Sequence, residues 1–323
     1  MRIPRIFVAT SVIGMAALCH ASIALASEWG DEATALEPSA PLVIENQQDV
    51  QIAYKRIQNP NGDCVVVNAG ANVVVENSYI GPCKGKAVSV SNSRNVTVRH
   101  NYIKLASSGL YAYQSSGIRF HNNKVRDVLG PRPRGQMVQF NNVTGAGNAI
   151  YLNVALNNPG ASQPEDVVSL YLSHGTAASP ISVRENYIRG GGPSTSGGGI
   201  MLGDNGGSFL TADKNILVDP GQYGMAVAGG TDMKITNNRI FARQQGFTNV
   251  GIYAWNQKAA SCDRIEVRAN TVGFTNRNGA NSAYWNGGNC GAIALTGNNF
   301  NAGYEIPAIP QGWGPNWAQP GDF

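Results

Sequence analysis

Glu165 and Asp166 are adjacent carboxylates that lead into an apolar run, within Gln163-Pro-Glu-Asp-Val-Val-Ser-Leu-Tyr171. One member of such a pair can move a proton, or the two can present hard oxygen ligands to a cation. His174 follows the same run, and Asp204 comes one repeat later in Gly197-Gly-Gly-Ile-Met-Leu-Gly-Asp204. Arg189, Lys214, Tyr223 and Arg243 share this central stretch. Two carboxyl groups flanking a glycosidic bond hydrolyse it, one as acid and the other as base or nucleophile. Asp166 and Asp204 are the candidate pair. Cleavage by β-elimination instead needs a base beside a neutralised carboxylate, and His174, Lys214 or Tyr171 could serve. Each group also has an ordinary structural use: strand-capping acids, loop ion pairs at Arg189 and Arg243, packing at Tyr223.

The elements that must position these groups show as a repeat. An apolar residue, two residues, Asn, one residue and a second apolar residue recur at Asn101, Asn123, Asn153, Asn186, Asn215, Asn238, Asn270 and Asn298, with Ser78 in the Asn place upstream. The intervals run from 22 to 33 residues, and wide ones fall in the middle of the chain. Each interval reads as one solenoid turn. Asn at the bend is expected to tolerate the left-handed conformation, and its amide can bond the Asn of the next turn to form a buried ladder.

A second short strand recurs upstream of each ladder position, including Cys64–Val67, Leu110–Tyr113, Val167–Tyr171 and Ile252–Trp255. No helical periodicity separates the strands, which argues against βαβ units. A propeller would need repeats near 40 residues or more, and a sandwich would not place one Asn in each interval. The prediction is an all-β, single-stranded right-handed parallel β-helix of about nine coils with an Asn ladder. Residues 64–300 form the helix, 27–63 an N-terminal cap and 301–323 a C-terminal cap or tail.

Alternation along the upstream strands puts Tyr111, Tyr113, Gln139, Asn141, Ser169, Tyr171, Tyr253 and Trp255 on one outward face. Aromatic faces and amides in a row suit sugar rings and hydroxyls. The long middle intervals predict loops at Leu129–Gly135, Asn157–Glu165, His174–Ser179, Gly190–Gly199, Gly203–Ser208 and Arg243–Asn249. Loops clustered there would wall a groove.

Arg2 and Arg5, the apolar stretch Ile6–Leu18 and Ala24-Leu-Ala26 read as a signal peptide over residues 1–26, cleaved near Ala26, giving a secreted or periplasmic protein. No later stretch is long and apolar enough to span a membrane. Local pairing predicts disulfides Cys64–Cys83 and Cys262–Cys290. Zinc is the weaker reading, because no two of these cysteines are two to four residues apart. Only 14% of residues are charged and the net charge is +4, which points away from nucleic acid. The expected partner is an extended polysaccharide bound by a monomer.

The repeat resembles the pectate-lyase-like right-handed β-helix superfamily over residues 64–300. That resemblance implies a secreted polysaccharide-active protein. The Glu165-Asp166 entry looks like the calcium-binding entry of one group of small pectate lyases, which implies calcium held by Glu165 and Asp166. On that reading the protein is a lyase acting on a uronate-containing polysaccharide. A hydrolase, a C5-epimerase and a non-catalytic glycan-binding protein share the architecture. The Asn-Thr-Asp, Asp-Asp and Gly-His-Gly set of β-helix polygalacturonases is not found.

Overall fold

The computed structural model describes residues 36–315. The signal peptide and its cleavage position lie outside these residues. Three rows of short parallel strands wind into a solenoid. The third row forms a ten-stranded sheet that starts at Glu37–Ser39 and ends at Thr271–Phe274, and the first and second rows join in a nineteen-stranded sheet. The long strand Ile200–Asp213 serves both rows by bending at their shared corner.

The first turn begins earlier than the sequence suggested. Glu37–Ser39, Leu42–Glu45 and Gln51–Ala53 each pair in parallel with a strand of the next coil. This segment is therefore a coil, not a cap. Residues 301–315 run back along the third row. Ile309 and Trp313 pack on Val154, Tyr187, Ile216 and Val218, and the Gly314 amide bonds the Leu152 carbonyl. The tail thus covers an apolar outer face of the ten-stranded sheet.

The core is built of stacked columns of inward residues; in one of them Val65, Val88, Leu110, Val138, Val168, Ile200, Met225 and Ile252 stack in register and are all buried. The ladder satisfies the polar groups at one corner. Asn153 donates to Asn186 at 2.9 Å, Asn186 to Asn215 at 2.9 Å and Asn215 to Asn238 at 3.0 Å. Each amide also reaches a backbone carbonyl, as Asn186 does at Ile150.

The left-handed residue at this corner is the one before the ladder Asn. His100, Asn122, Leu152, Glu185, Lys214, Asn237 and Ala269 have φ between 51° and 57°. The ladder Asn is used for its amide, not for its conformational tolerance. Both expected disulfides are present, Cys64–Cys83 and Cys262–Cys290. Among the described residues no helix is long and apolar enough to cross a membrane.

Candidate functional site

Asp166 opens its coil at the third-to-first-row corner. In register with it lie Gly198 on the next coil and Tyr223 on the one after, since Val168, Ile200 and Met225 are aligned partners. Tyr223 reaches back across Gly198 and donates its hydroxyl to Asp166 Oδ1 at 2.5 Å, while the Gly198 amide donates to the same oxygen at 3.2 Å. Gly198 makes this possible. A Cβ there would lie 2.6 Å from the Cγ and Cδ1 of the Tyr223 ring.

Burial pushes the Asp166 carboxyl up to about 7. The Tyr223 hydrogen bond works against that rise, the charges of Glu165 and Asp204 add to it, and the Gly198 amide opposes it. The carboxyl therefore holds its proton across the acidic and near-neutral range. Burial also raises Asp204, against the pull of Lys258. The Tyr223 and Tyr253 hydroxyls are both raised by burial and then by the charge of Asp166.

The outward face is organised as the alternation predicted. Tyr111, Gln139, Ser169, Met201, Ala226, Tyr253 and Trp285 form one register column, and Tyr113, Asn141, Tyr171 and Asp204 form the next. Exposure along it is uneven. Ser169 and Tyr253 are buried, with Tyr253 edge-on to Tyr223 at 5.2 Å between centroids. Trp255 and Trp285 are exposed and lie 5.8 Å apart, making an aromatic surface on the coils beyond Tyr223. Tyr171 accepts a hydrogen bond from Asn205, and Tyr111 accepts one from Asn141 under the Arg134 guanidinium. Gln139 Oε1 and Ser169 Oγ, on neighbouring strands, are buried without a hydrogen-bond partner in the protein.

Three loops from consecutive middle coils form a rim. Residues of 131–132, 163–165 and 193–196 line a cavity of about 390 Å³ beside Glu165. Ser194 and Ser196 each donate to one oxygen of Glu165, both at 2.6 Å. Each Glu165 oxygen thus takes one serine hydroxyl. Among the described residues no group of three or more His, Cys, Asp or Glu side chains is assembled for a metal.

Four expectations need correction. His174 is exposed at the far end of Val168–His174, bonded through Nδ1 to Ser208, one corner away from Asp166. Lys214 is exposed at the ladder corner between the second and third rows. Arg189 is exposed at the end of third-row strand Tyr187–Arg189, and its charge acts on Tyr304 in the tail. Gly203–Ser208 is not a loop but the bent part of Ile200–Asp213, turned through left-handed Gly203 and Asn205. Sequence reasoning also missed the pairing of Tyr223 with Asp166, the serines on Glu165, and Trp285. A column count from Val168 to Met225 would have aligned Asp166, Gly198 and Tyr223.

Several solved structures match this chain at low identity. They include the catalytic domain of a GH87 α-1,3-glucanase in complex with tetrasaccharides, at 12% identity and a TM-score of 0.49, covering 79% of this chain and 50% of that one. PfbA, a surface adhesin of Streptococcus pneumoniae, matches at 11% identity and a TM-score of 0.43, over 81% of this chain and 82% of its own. The alginate lyase AlyF-OU02 matches at 11% identity and a TM-score of 0.34, over 92% and 90%. The chain thus spans half the length of the glucanase domain. No curated protein matches the sequence. The family model described as right handed beta helix region matches residues 41–240, so the chain belongs to the right-handed β-helix family.

Proposed function

We propose that this chain is a secreted glycan-cleaving enzyme that hydrolyses an extended polysaccharide on the face centred on Asp166. The observation that carries the reading is a buried carboxyl, Asp166, raised to about 7 and within the electrostatic reach of a second raised carboxyl, Asp204. Two titratable groups whose surroundings differ suggest separate roles. Asp166 is the more deeply buried and delivers a proton to the departing glycosidic oxygen. Asp204, drawn back toward ionisation by Lys258, acts as the carboxylate that activates water or attacks the sugar. Tyr223 and the Gly198 amide hold the Asp166 carboxyl in one orientation. Trp255 and Trp285 offer a stacking surface for sugar rings on the adjoining coils.

Hydrolysis is favoured over β-elimination by the state of the candidate bases. His174 and Lys214 are at other corners of the coil, the Tyr171 hydroxyl is engaged by Asn205, and the Tyr223 and Tyr253 hydroxyls are pushed away from ionisation. A C5-epimerase has the same need for a base. Secretion fits the leader-like N terminus and the two disulfides.

The test is incubation with a panel of neutral and acidic polysaccharides, reading reducing ends and the ultraviolet absorbance of unsaturated uronates separately. New reducing ends without absorbance support hydrolysis. Growing absorbance would replace it with a lyase, and binding without product would leave a glycan-binding protein.

A further inference from the structure

We infer a second glycan-binding groove on the outer face of the second row, away from Asp166, shaped for an extended uncharged sugar chain. At the corner between the first and second rows, the residue preceding each inward second-row position adopts the left-handed region on most coils. Asn72, Asn95 and Gly117 take it at φ 55°, 53° and 65°. These are the residue types that do so at little cost.

Further along the same column the fold makes the same demand, and the residues change. Phe209, Asp232 and Arg264 immediately precede the aligned Leu210, Met233 and Ile265, with φ of 53°, 60° and 53°. A bulky ring in the left-handed region is strained where Asn or Gly would not be. Other bulky residues take this region elsewhere in the chain, as Leu152 does at φ 56°, so what sets Phe209 apart is where its ring lies.

That side chain lines a groove of about 480 Å³, together with Pro180, Asp232, Lys234, Arg264 and Glu266. This is within the size range of small-ligand sites. The lining comes from five successive coils, so the groove follows the solenoid axis for about 19 Å at the usual strand spacing. It therefore suits a linear ligand more than a compact one.

Its polarity selects the ligand class. Arg264 forks onto both oxygens of Asp232 at 2.8 and 2.6 Å, and Lys234 lies 3.4 Å from Glu266. The two cations and two anions of the rim cancel, leaving no net charge to recruit a uronate or a basic peptide. Those same groups still offer donors and acceptors to hydroxyls, while Phe209 and Pro180 offer an apolar floor to the C–H face of a ring. Uncharged sugar units combine these two demands.

The experiment titrates the full chain with a neutral gluco-tetrasaccharide and, separately, with tetragalacturonate, following backbone amide resonances of 209–211, 232–234 and 264–266. Phe209→Asn is the informative variant, because Asn suits the corner and removes the ring. The neutral tetrasaccharide is expected to shift these resonances, to bind at least tenfold more weakly to Phe209→Asn, and to leave melting unchanged or raised in that variant. Lys234→Ala should also weaken binding. Unchanged affinity in Phe209→Asn overturns the inference. So does a preference of this groove for tetragalacturonate, or a melting temperature several degrees lower in Phe209→Asn, which would make the ring structural. Because the resonances lie outside the Asp166 face, the outcome is independent of whether that face cleaves anything.

Discussion

Tyr223 hydrogen-bonds Asp166 from two coils away, its ring lying over the bare backbone of Gly198. A solenoid stacks like positions at about 4.8 Å, so a bond that skips a coil requires a long side chain and a gap between. The column supplies both. The arrangement fixes one carboxyl in a low-dielectric position where its proton is held, which is what an acid catalyst at near-neutral pH requires.

Removing the hydroxyl tests that linkage. The Tyr223 hydrogen bond lowers the Asp166 carboxyl against the effect of burial. Tyr223→Phe should therefore move Asp166 above about 7 and shift the alkaline limb of any activity profile to higher pH. Stability should fall by about 1–3 kcal/mol, the range for leaving a buried polar group short of a partner. Gly198→Ala should cost at least as much, since its methyl would collide with the ring and with the Tyr223 carbonyl at 2.6 Å. Denaturant midpoints and a carboxyl carbon titration check both.

The same carboxyl gives stability a pH dependence of definite sign. An unfolded Asp releases its proton near 3.9, whereas the native Asp166 keeps it to about 7. Between those values the native state binds more protons, so stability is highest below the window and falls as pH rises through it. The loss attributable to Asp166 is roughly 4 kcal/mol. Asp166→Asn should remove that slope and be more stable than the parent at pH above the window. A slope of equal size in Asp166→Asn would assign it to other groups.

The ladder should be the most sensitive part of the fold outside the apolar core. Asn186→Ala strands the backbone and side-chain donors of Asn153 and the carbonyl of Ile150. Several buried groups losing partners together should cost about 4 kcal/mol. Equilibrium unfolding in urea would measure it, and a loss below about 1 kcal/mol would mean that the corner relaxes without the amide.

The disulfides close short loops at the two ends of the chain, spanning 19 and 28 residues. Loop entropy alone gives about 3 kcal/mol for each. Replacing either cysteine pair with alanines should lower stability by a similar amount in each case, measured under non-reducing conditions.

The repeat was legible because its signal is local. Asn101 through Asn298 mark one corner per coil, and short alternating strands surround them, so register and the outward column from Tyr111 to Tyr253 follow. The first coil escaped notice because no ladder residue precedes Ser78; the Lys55 amide meets the Ser78 hydroxyl there instead. The site was only half legible. Asp166 and Asp204 stand out as acids beside strands, but His174, Lys214 and Arg189 were grouped with them by sequence nearness. In a solenoid, residues a few positions apart face different corners, while residues a whole coil apart are neighbours. The bonds of Glu165 to Ser194 and Ser196, and of Asp166 to Tyr223, are contacts of that second kind.

The decisive measurement is cleavage by the parent chain and by Asp166→Asn across a range of pH, on whichever glycan yields new reducing ends. If Asp166 is the acid, the parent's rate is sustained below about 7 and declines above it as Asp166 loses its proton. Asp166→Asn should lose at least about 100-fold, the lower range for removing a general acid, with the fold intact by circular dichroism. A folded Asp166→Asn protein that cleaves at a rate within twofold of the parent would contradict that role.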